Sequence, residues 1–354
     1  MSDEAAAATA TASVRVAFWN TWLLSPRLWS KGPRLPGMAH KFAPDVELRA
    51  PMVGEALRGR FDVAALSECF EDSECAAVSA AWPEATLVQG PRRRPLRMTS
   101  SGLAALIGPD VRLVRSANRP YRADGDHRDS DRLASKGAQF VAVEVHPDLP
   151  PVEVISTHLF AGGDLLPRRG HDHVARHHEV RMAQVDELIG FIEREHDPAS
   201  PLLVVGDFNV KAQDPDLSLP DHEARYRDLA AHMARAQLID VWATHGIGPG
   251  HTCTFTSPEQ LPPDPDEPDR LLDEAIPGLP PGIDEVIAED DVTTGRHVRI
   301  HERIDYLWLS TPAGVTVDVE RPRRWAFSGR PATGGPGGSL SDHLAVSVTL
   351  NLST

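Results

Sequence analysis

The chain has 354 residues, with 51 acidic residues against 36 Lys and Arg and a formal net charge of −15. That balance argues against broad electrostatic capture of nucleic acid, which needs Lys and Arg to neutralise several phosphates. Apolar residues make up 41% of the chain in short runs, none near the roughly 20 that a membrane-spanning helix needs.

Residues 1–12 carry Asp3 and Glu4 followed by Ala and Thr, without the basic and Leu-rich regions of a secretory signal. They are expected to form a disordered tail before one catalytic domain, 13–354. Strand-like apolar runs follow at Val14 to Trp22, Val63 to Ser67, Leu103 to Ile107, Phe140 to Val145, Val152 to Leu159, Leu202 to Val205, Ile304 to Leu309 and Leu344 to Leu350. Several alternate strictly, the period of a sheet with one buried face, and others are apolar on both faces. Helical periodicity marks Val174 to Glu195 and His222 to Leu238, with a shorter helix over Pro51 to Arg58. Many strands with few long helices imply two packed sheets covered by helices. Pro258 to Asp291 and the Gly-rich Pro331 to Ser339 read as surface loops.

Polar residues stand where these strands stop. Asn20 closes the first, Glu68 the second and His158 the run from Val152, while Asp207 and Asn209 follow Leu202 to Gly206. A buried carboxylate is costly unless a cation or donor compensates it, so repeated strand-end carboxylates point to shared metal coordination. Phosphodiester hydrolysis needs a cation on a non-bridging oxygen, a base for water and a donor for the leaving oxygen. Oxygen ligands such as Glu68, Asp207 and the amides of Asn20 or Asn209 suit Mg2+, Mn2+ or Ca2+ rather than zinc, and His158 and His343 can exchange protons near neutral pH.

The ordered set Phe18-Trp19-Asn20-Thr21-Trp22, Leu66-Ser67-Glu68, Ser156-Thr157-His158-Leu159, Gly206-Asp207-Phe208-Asn209, Arg303-Ile304-Asp305-Tyr306 and Leu340-Ser341-Asp342-His343 resembles the endonuclease/exonuclease/phosphatase superfamily. The resemblance implies an α/β (α+β) four-layer sandwich, two mostly antiparallel β-sheets flanked by helices, as in deoxyribonucleases and sphingomyelinases. It implies Glu68 as principal metal ligand, with Asn20 and Asp342, and His343 as general base. Asp305 and Asp342 would orient His343 or the metal-bound water; Asp207 and Asn209 would position the phosphate, a second cation or the leaving group; His158 would donate to the phosphoryl oxygen or act as acid. The segment Asp131-Arg132-Leu133-Ala134-Ser135-Lys136-Gly137 resembles the Asp-x-x-Ala-x-Lys-Gly of neutral sphingomyelinases, with Lys136 as a substrate-binding residue. Arg181-x-x-Gln184 and the Thr252 to Thr256 turn extend that likeness.

The expectation is therefore a Mg2+-dependent phosphodiesterase acting on a phospholipid headgroup, monomeric and in peripheral contact with a membrane. The alternatives are a nuclease or a sugar- or inositol-phosphate phosphatase of the same fold, or a catalytically silent binding module. Trp22 to Trp29, directly after the first site residue, suits either the membrane interface or core packing. Cys69, Cys75 and Cys253 lack zinc-site spacing and are expected as reduced thiols, pointing to the cytoplasm. His171, His173, His177 and His178, and Asp124, Asp126, Asp129 and Asp131, read as a polar helix start and a polar turn.

Overall fold

Neighbouring residues of the first strand, β1 (Thr11–Leu23), face opposite ways, so Val14, Val16 and Phe18 join one buried cluster while Ala17 and Trp19 join another. The same division repeats in other strands and makes layers. A computed structural model describes residues 10–25, 43–163, 173–213, 221–254, 269–271, 300–327 and 340–354.

The first sheet contains β1, β2 (Val63–Cys69), β3 (Thr86–Gln89), β4 (Ala104–Ile107), β11 (Asp269–Leu271), β14 (Thr316–Val319), β15 (Arg323–Phe327) and β16 (Ala345–Ser353). The second runs in the order β5 (Arg112–Pro120), β6 (Gly137–Glu144), β7 (Val152–His158), β8 (Leu202–Asp207), β13 (Asp305–Ser310) and β9 (Ile239–Asp240). A short ribbon pairs β10 (Cys253–Thr254) with β12 (Ile300–Glu302). Between the sheets lie Val16, Phe18, Ala65, Ile107, Val141, Val143, Val154, Leu203, Val205, Leu307 and Val348. Outside the first sheet pack α1 (Val46–Leu57) and α2 (Asp72–Ala81), through Val46, Ala50, Val53, Leu57, Cys75 and Val78. Outside the second pack α3 (His173–Glu195) and α4 (Ala224–Ala234), through Met182, Val185, Leu188, Ile192, Leu229 and Met233. The result is the expected four-layer α+β sandwich, and no described helix is long and apolar enough to cross a membrane.

Two pairings position the site. β1 pairs parallel with β2, and β7 pairs parallel with β8, whereas every other described pairing is antiparallel. Parallel neighbours need crossover connections, and both strands of such a pair then end at the same edge. Residues at the C-terminal ends of β1 and β2 in one sheet therefore face those of β7 and β8 in the other.

Several boundaries differ from the expectation. β1 starts at Thr11, paired with Ser353, so Thr11 and Ala12 belong to the sheet rather than to a tail; residues 1–9 lie outside the described residues. Glu68 sits inside β2, not just beyond it. α1 begins at Val46, five residues before Pro51, because the Leu48 and Arg49 amides turn back onto the Asp45 carbonyl and give Pro51 a formed first turn to follow. The 258–291 segment, expected as a surface loop, contributes Asp269–Leu271 as a strand on β15; its other residues and 331–339 lie outside the described residues. Two further helices, α2 and α5 (Val241–His245), escaped the periodicity, being rich in Ala and Ser and only five residues long respectively.

Candidate active site

Asn20 joins the two sheets. Its Nδ2 donates to Glu68 Oε1 at 3.2 Å and to Asp207 Oδ2 at 3.0 Å, while its Oδ1 accepts the Trp22 N–H at 3.1 Å. Across the second sheet His158 and Asp207 are partners in register, and His158 Nε2 lies 3.5 Å from Asp207 Oδ2 and 4.0 Å from Glu68 Oε1. Lys136 Nζ lies 3.0 Å from His158 Nε2 and 3.2 Å from Asp131 Oδ1. Lys136 is only 4% exposed, so it is no solvated turn lysine but the buried cation of the cluster. An ammonium has no lone pair to offer, so Nε2 accepts and the ring proton sits on Nδ1. Burial, then the charges of Lys136 and His343, push His158 well below the usual imidazole range and keep it neutral.

The backbone is strained at two of these positions. Glu68 has φ 60° and Asn209 φ 52°, in the left-handed region that Asn tolerates and Glu rarely adopts. Such conformations cost on the order of 1–3 kcal/mol and concentrate at functional sites. Gly102 makes the Glu68 turn possible: its carbonyl accepts the Cys69 N–H at 2.9 Å, and a Cβ there would stand 3.1 Å from the Glu68 Cα. Asn209 is held by its own N–H on Asp207 Oδ1 and by Nδ2 on the Leu159 carbonyl.

A second group comes from the start of β13 and the approach to β16. Asp305 lies opposite Asp207 in the sheet, and its Oδ2 accepts from Thr252 Oγ1 at 2.5 Å and pairs with His343 Nδ1 at 2.8 Å. Burial opposes protonation of His343, but the Asp305 charge, the Cys253 thiol and the Asp305 hydrogen bond together raise it well above the imidazole range. Ser341 Oγ donates to the Asn20 carbonyl and accepts the His343 N–H, and the Trp19 indole donates to the His343 carbonyl. Asp342 is next in the chain; burial raises its carboxyl, against the charges of His343 and Arg49.

Arg49 went unnoticed in the sequence. Its guanidinium is buried at the base of the site and donates to the carbonyls of Pro44, Thr21, Trp22 and Leu340, stitching the turns after Asn20 and before Asp342. In sequence it looks like an ordinary residue ahead of a short helix, and only its place one turn from several strand ends could have pointed to it.

The donor set fits a hard divalent cation. Burial, then the charge of Asp342, raises Glu68, and burial, then the charge of Asp305, pushes Asp207 up to about 7. These are the signs of carboxylates short of positive charge. Asp305 Oδ1 is buried with no hydrogen-bond partner, and Asp207, Asp305 and His343 each bring a ligand atom within 4.8 Å of the others. Asn20 presents N–H rather than its oxygen to the carboxylates, so ligation by Asn20 requires its amide to turn over.

Other sequence candidates are structural here. Asp124 pairs with Arg97, and Asp129 with Arg176 and His177, so the Asp-rich turn is cross-linked by cations. His178 pairs with Asp228, whereas His171 and the His173 side chain lie outside the described residues. Arg181 and Gln184 hold the Phe160–Ala161 turn after His158 through its carbonyls and the Phe160 N–H. Trp22 is half-buried with the Arg49 guanidinium 5.1 Å from its ring centre, and residues 26–29 of that segment lie outside the described residues.

No protein-family model and no curated protein sequence matches the chain. Solved structures do. An endonuclease/exonuclease/phosphatase family protein from Bacteroides thetaiotaomicron aligns at TM-score 0.56 and 13% identity, covering 97% of this chain and 98% of that one. Sphingomyelinase C from Streptomyces griseocarneus aligns at 0.52 and 18%, over 95% and 99%. A Staphylococcus aureus beta toxin mutant with bound magnesium ions aligns at 0.53 and 14%, over 95% and 99%. At these identities the likeness is one of fold.

Proposed function

We propose, proceeding from the endonuclease/exonuclease/phosphatase fold that the chain shares with those structures, that it is a divalent-metal-dependent phosphodiester hydrolase of the sphingomyelinase or phospholipase C kind. The observation that carries the reading is the meeting of Asn20, Glu68, His158 and Asp207 from two sheets with the His343–Asp305 pair. A bound cation, Mg2+ in the first instance, would be held by Glu68 and Asp207, with Asp305, Asp342 and a turned Asn20 as further oxygen donors, and would supply charge to a non-bridging phosphate oxygen.

The chain's own groups supply the rest. Without a cation His343 holds its extra proton, but beside a divalent charge at Asp207 and Asp305 it would give that proton up and leave Nε2 free to take the proton of the attacking water. Asp305 fixes the tautomer through Nδ1 and stabilises the imidazolium that forms. Thr252 holds Asp305 in that orientation. On the opposite side Lys136 presents the nearest positive charge to the phosphoryl oxygens, backed by His158 and Asp131. Asp207, held by Asn20 Nδ2 and 3.5 Å from His158 Nε2, would be ionised once the cation is bound and would keep that charge close to the leaving oxygen. Asn209, locked onto Asp207, offers the remainder of its amide to the phosphate.

A second reading has its own observation. A cavity of about 630 Å3 is lined by Cys69, the residue after Glu68, by Arg92, Arg93 and Arg94 and by Glu71 and Asp72, and lies beside the catalytic residues rather than among them. Arginines there would favour a substrate with an additional phosphate, a nucleic acid or an inositol phosphate, over a choline lipid. The test is an assay of the purified chain with Mg2+ against sphingomyelin and phosphatidylcholine vesicles, a nucleic acid and inositol phosphates. Metal-dependent hydrolysis of the sphingolipid is the expected result, hydrolysis of a polyanion alone selects the second reading, and EDTA-insensitive turnover sinks both.

A further inference from the structure

Two of the three thiols are neighbours. Cys69 is the last residue of β2, directly after Glu68, and Cys75 lies in the first turn of α2, six residues on. The Cys75 sulfur stands 2.9 Å from the Cys69 sulfur and 3.2 Å from the Cys69 carbonyl. A disulfide bond is about 2.05 Å long, so closing the pair asks for a shift of under an ångström at the sulfurs. Both residues line the cavity beside Glu68, whose rim includes the exposed Arg92, Arg93 and Leu96, and that gives a small molecule a way in from solvent. Cys253 stands apart from this cavity on β10, next to His343.

We propose that Cys69 and Cys75 are a modification site, a dithiol that a peroxide-class oxidant closes to a reversible disulfide tying α2 to the strand that carries Glu68. Hydrogen peroxide suits the place because both thiols are almost fully buried, which keeps bulky thiol reagents away. One sulfur attacks the O–O bond, becoming a sulfenic acid as one water leaves; the other sulfur displaces the second water and the S–S bond forms. Two thiols lose two electrons and two protons, and one peroxide becomes two waters. The neighbouring thiol at 2.9 Å makes this second step intramolecular and forestalls further oxidation.

The clamp would sit on the one strained carboxylate of the site. Cys69 N–H anchors the Glu68 turn to Gly102, and Cys75 N–H bonds to the Glu71 carbonyl, so the new bond closes a short ring around residues 69–75. The experiment uses the full chain, freed of reductant, exposed to hydrogen peroxide, quenched with catalase and alkylated with iodoacetamide after unfolding. Two of the three alkylatable thiols are expected to disappear. The tryptic peptide 61–92, which contains both cysteines and no internal Lys or Arg, should be lighter by two hydrogens until dithiothreitol restores it. Cys75→Ser should remove that reversible product and leave Cys69 either alkylatable or carrying added oxygen. Three alkylatable thiols after oxidation of the wild type, oxygen adducts that dithiothreitol cannot reverse, or disulfide-linked dimers in place of the internal bond would each overturn the proposal.

Discussion

The two corners of the site are built on opposite principles. Around Glu68 the buried Asn20 and Asp207 and the half-buried Glu68 and Asp342 share Lys136, His343 and the more distant Arg49 as cations, and burial raises the three carboxyls. Around His343 most groups are matched: Thr252 donates to Asp305, Asp305 pairs with His343, and Ser341 receives the His343 N–H, while Asp305 Oδ1 is left over. The first corner is short of positive charge and is organised for an incoming cation. The second is an oriented acid–base pair organised to move one proton. A phosphodiesterase needs both functions, and the two corners adjoin where Asp207, Asp305 and His343 bring ligand atoms within 4.8 Å of one another.

Removing charge from the first corner should have the largest effect. Glu68→Gln keeps the shape and the hydrogen bond from Asn20 but deletes the ligand charge, so Mg2+-dependent turnover should fall to background. The same variant should melt at a higher temperature than the wild type in EDTA, because a costly buried carboxylate is gone. Steady-state assays across a Mg2+ titration and melting curves in EDTA check both halves; wild-type turnover would break the contrast between the corners. His343→Ala attacks the second corner and should cost roughly 10²–10⁴-fold in kcat, the span of general acid–base catalysis, with little change in Mg2+ affinity. A lost Mg2+ response in that variant would move His343 to the first corner. Thr252→Val leaves Asp305 with one partner fewer at nearly constant volume. About a tenfold drop in kcat is expected, equal to about 1.4 kcal/mol and within the cost of an unmade buried hydrogen bond. Unchanged kcat would remove Thr252 from the orientation of the pair.

Much of this was legible because strand ends are where an apolar pattern breaks. Asn20, His158 and Asp207 interrupt runs that otherwise read as buried, and a polar residue there needs a reason. Lys136 and Asp305 were recognisable only as members of an ordered set, since each alone passes for a turn or edge residue. What could not be read was contact between distant segments: Arg49 reaches four carbonyls from three separate segments, and the Thr252 hydroxyl meets Asp305 from 53 positions away. Periodicity also failed for α2, whose Ala and Ser residues make too weak a stripe, and for the pairing of Asp269–Leu271 inside a Pro- and Asp-rich stretch.

The smallest expected effect is on stability, and it separates the corners by pH. The carboxyl of Asp207 is raised, through burial and then the nearby Asp305, to about 7 from an ordinary value of 3.8. A group with a raised folded value binds its proton more tightly folded than unfolded. Its contribution is therefore fully present below about pH 4 and is lost as the pH climbs through about 7. Glu68 and Asp342 are raised in the same direction, chiefly by burial, and add to the loss. Paired His343 is raised too, so its stabilising protonated form is likewise given up at higher pH. In EDTA the melting temperature should accordingly decline by a few degrees between about pH 5 and 8, on the scale of about 2–4 °C per kcal/mol for chains of 150–250 residues. A bound cation replaces the missing protons as the countercharge, so saturating Mg2+ should flatten the decline and stabilise most at the alkaline end. Calorimetry at several pH values with and without Mg2+ measures this. Equal Mg2+ stabilisation at pH 5 and pH 8 would mean that the cation binds away from Asp207 and Glu68, and the first corner would lose its assigned purpose.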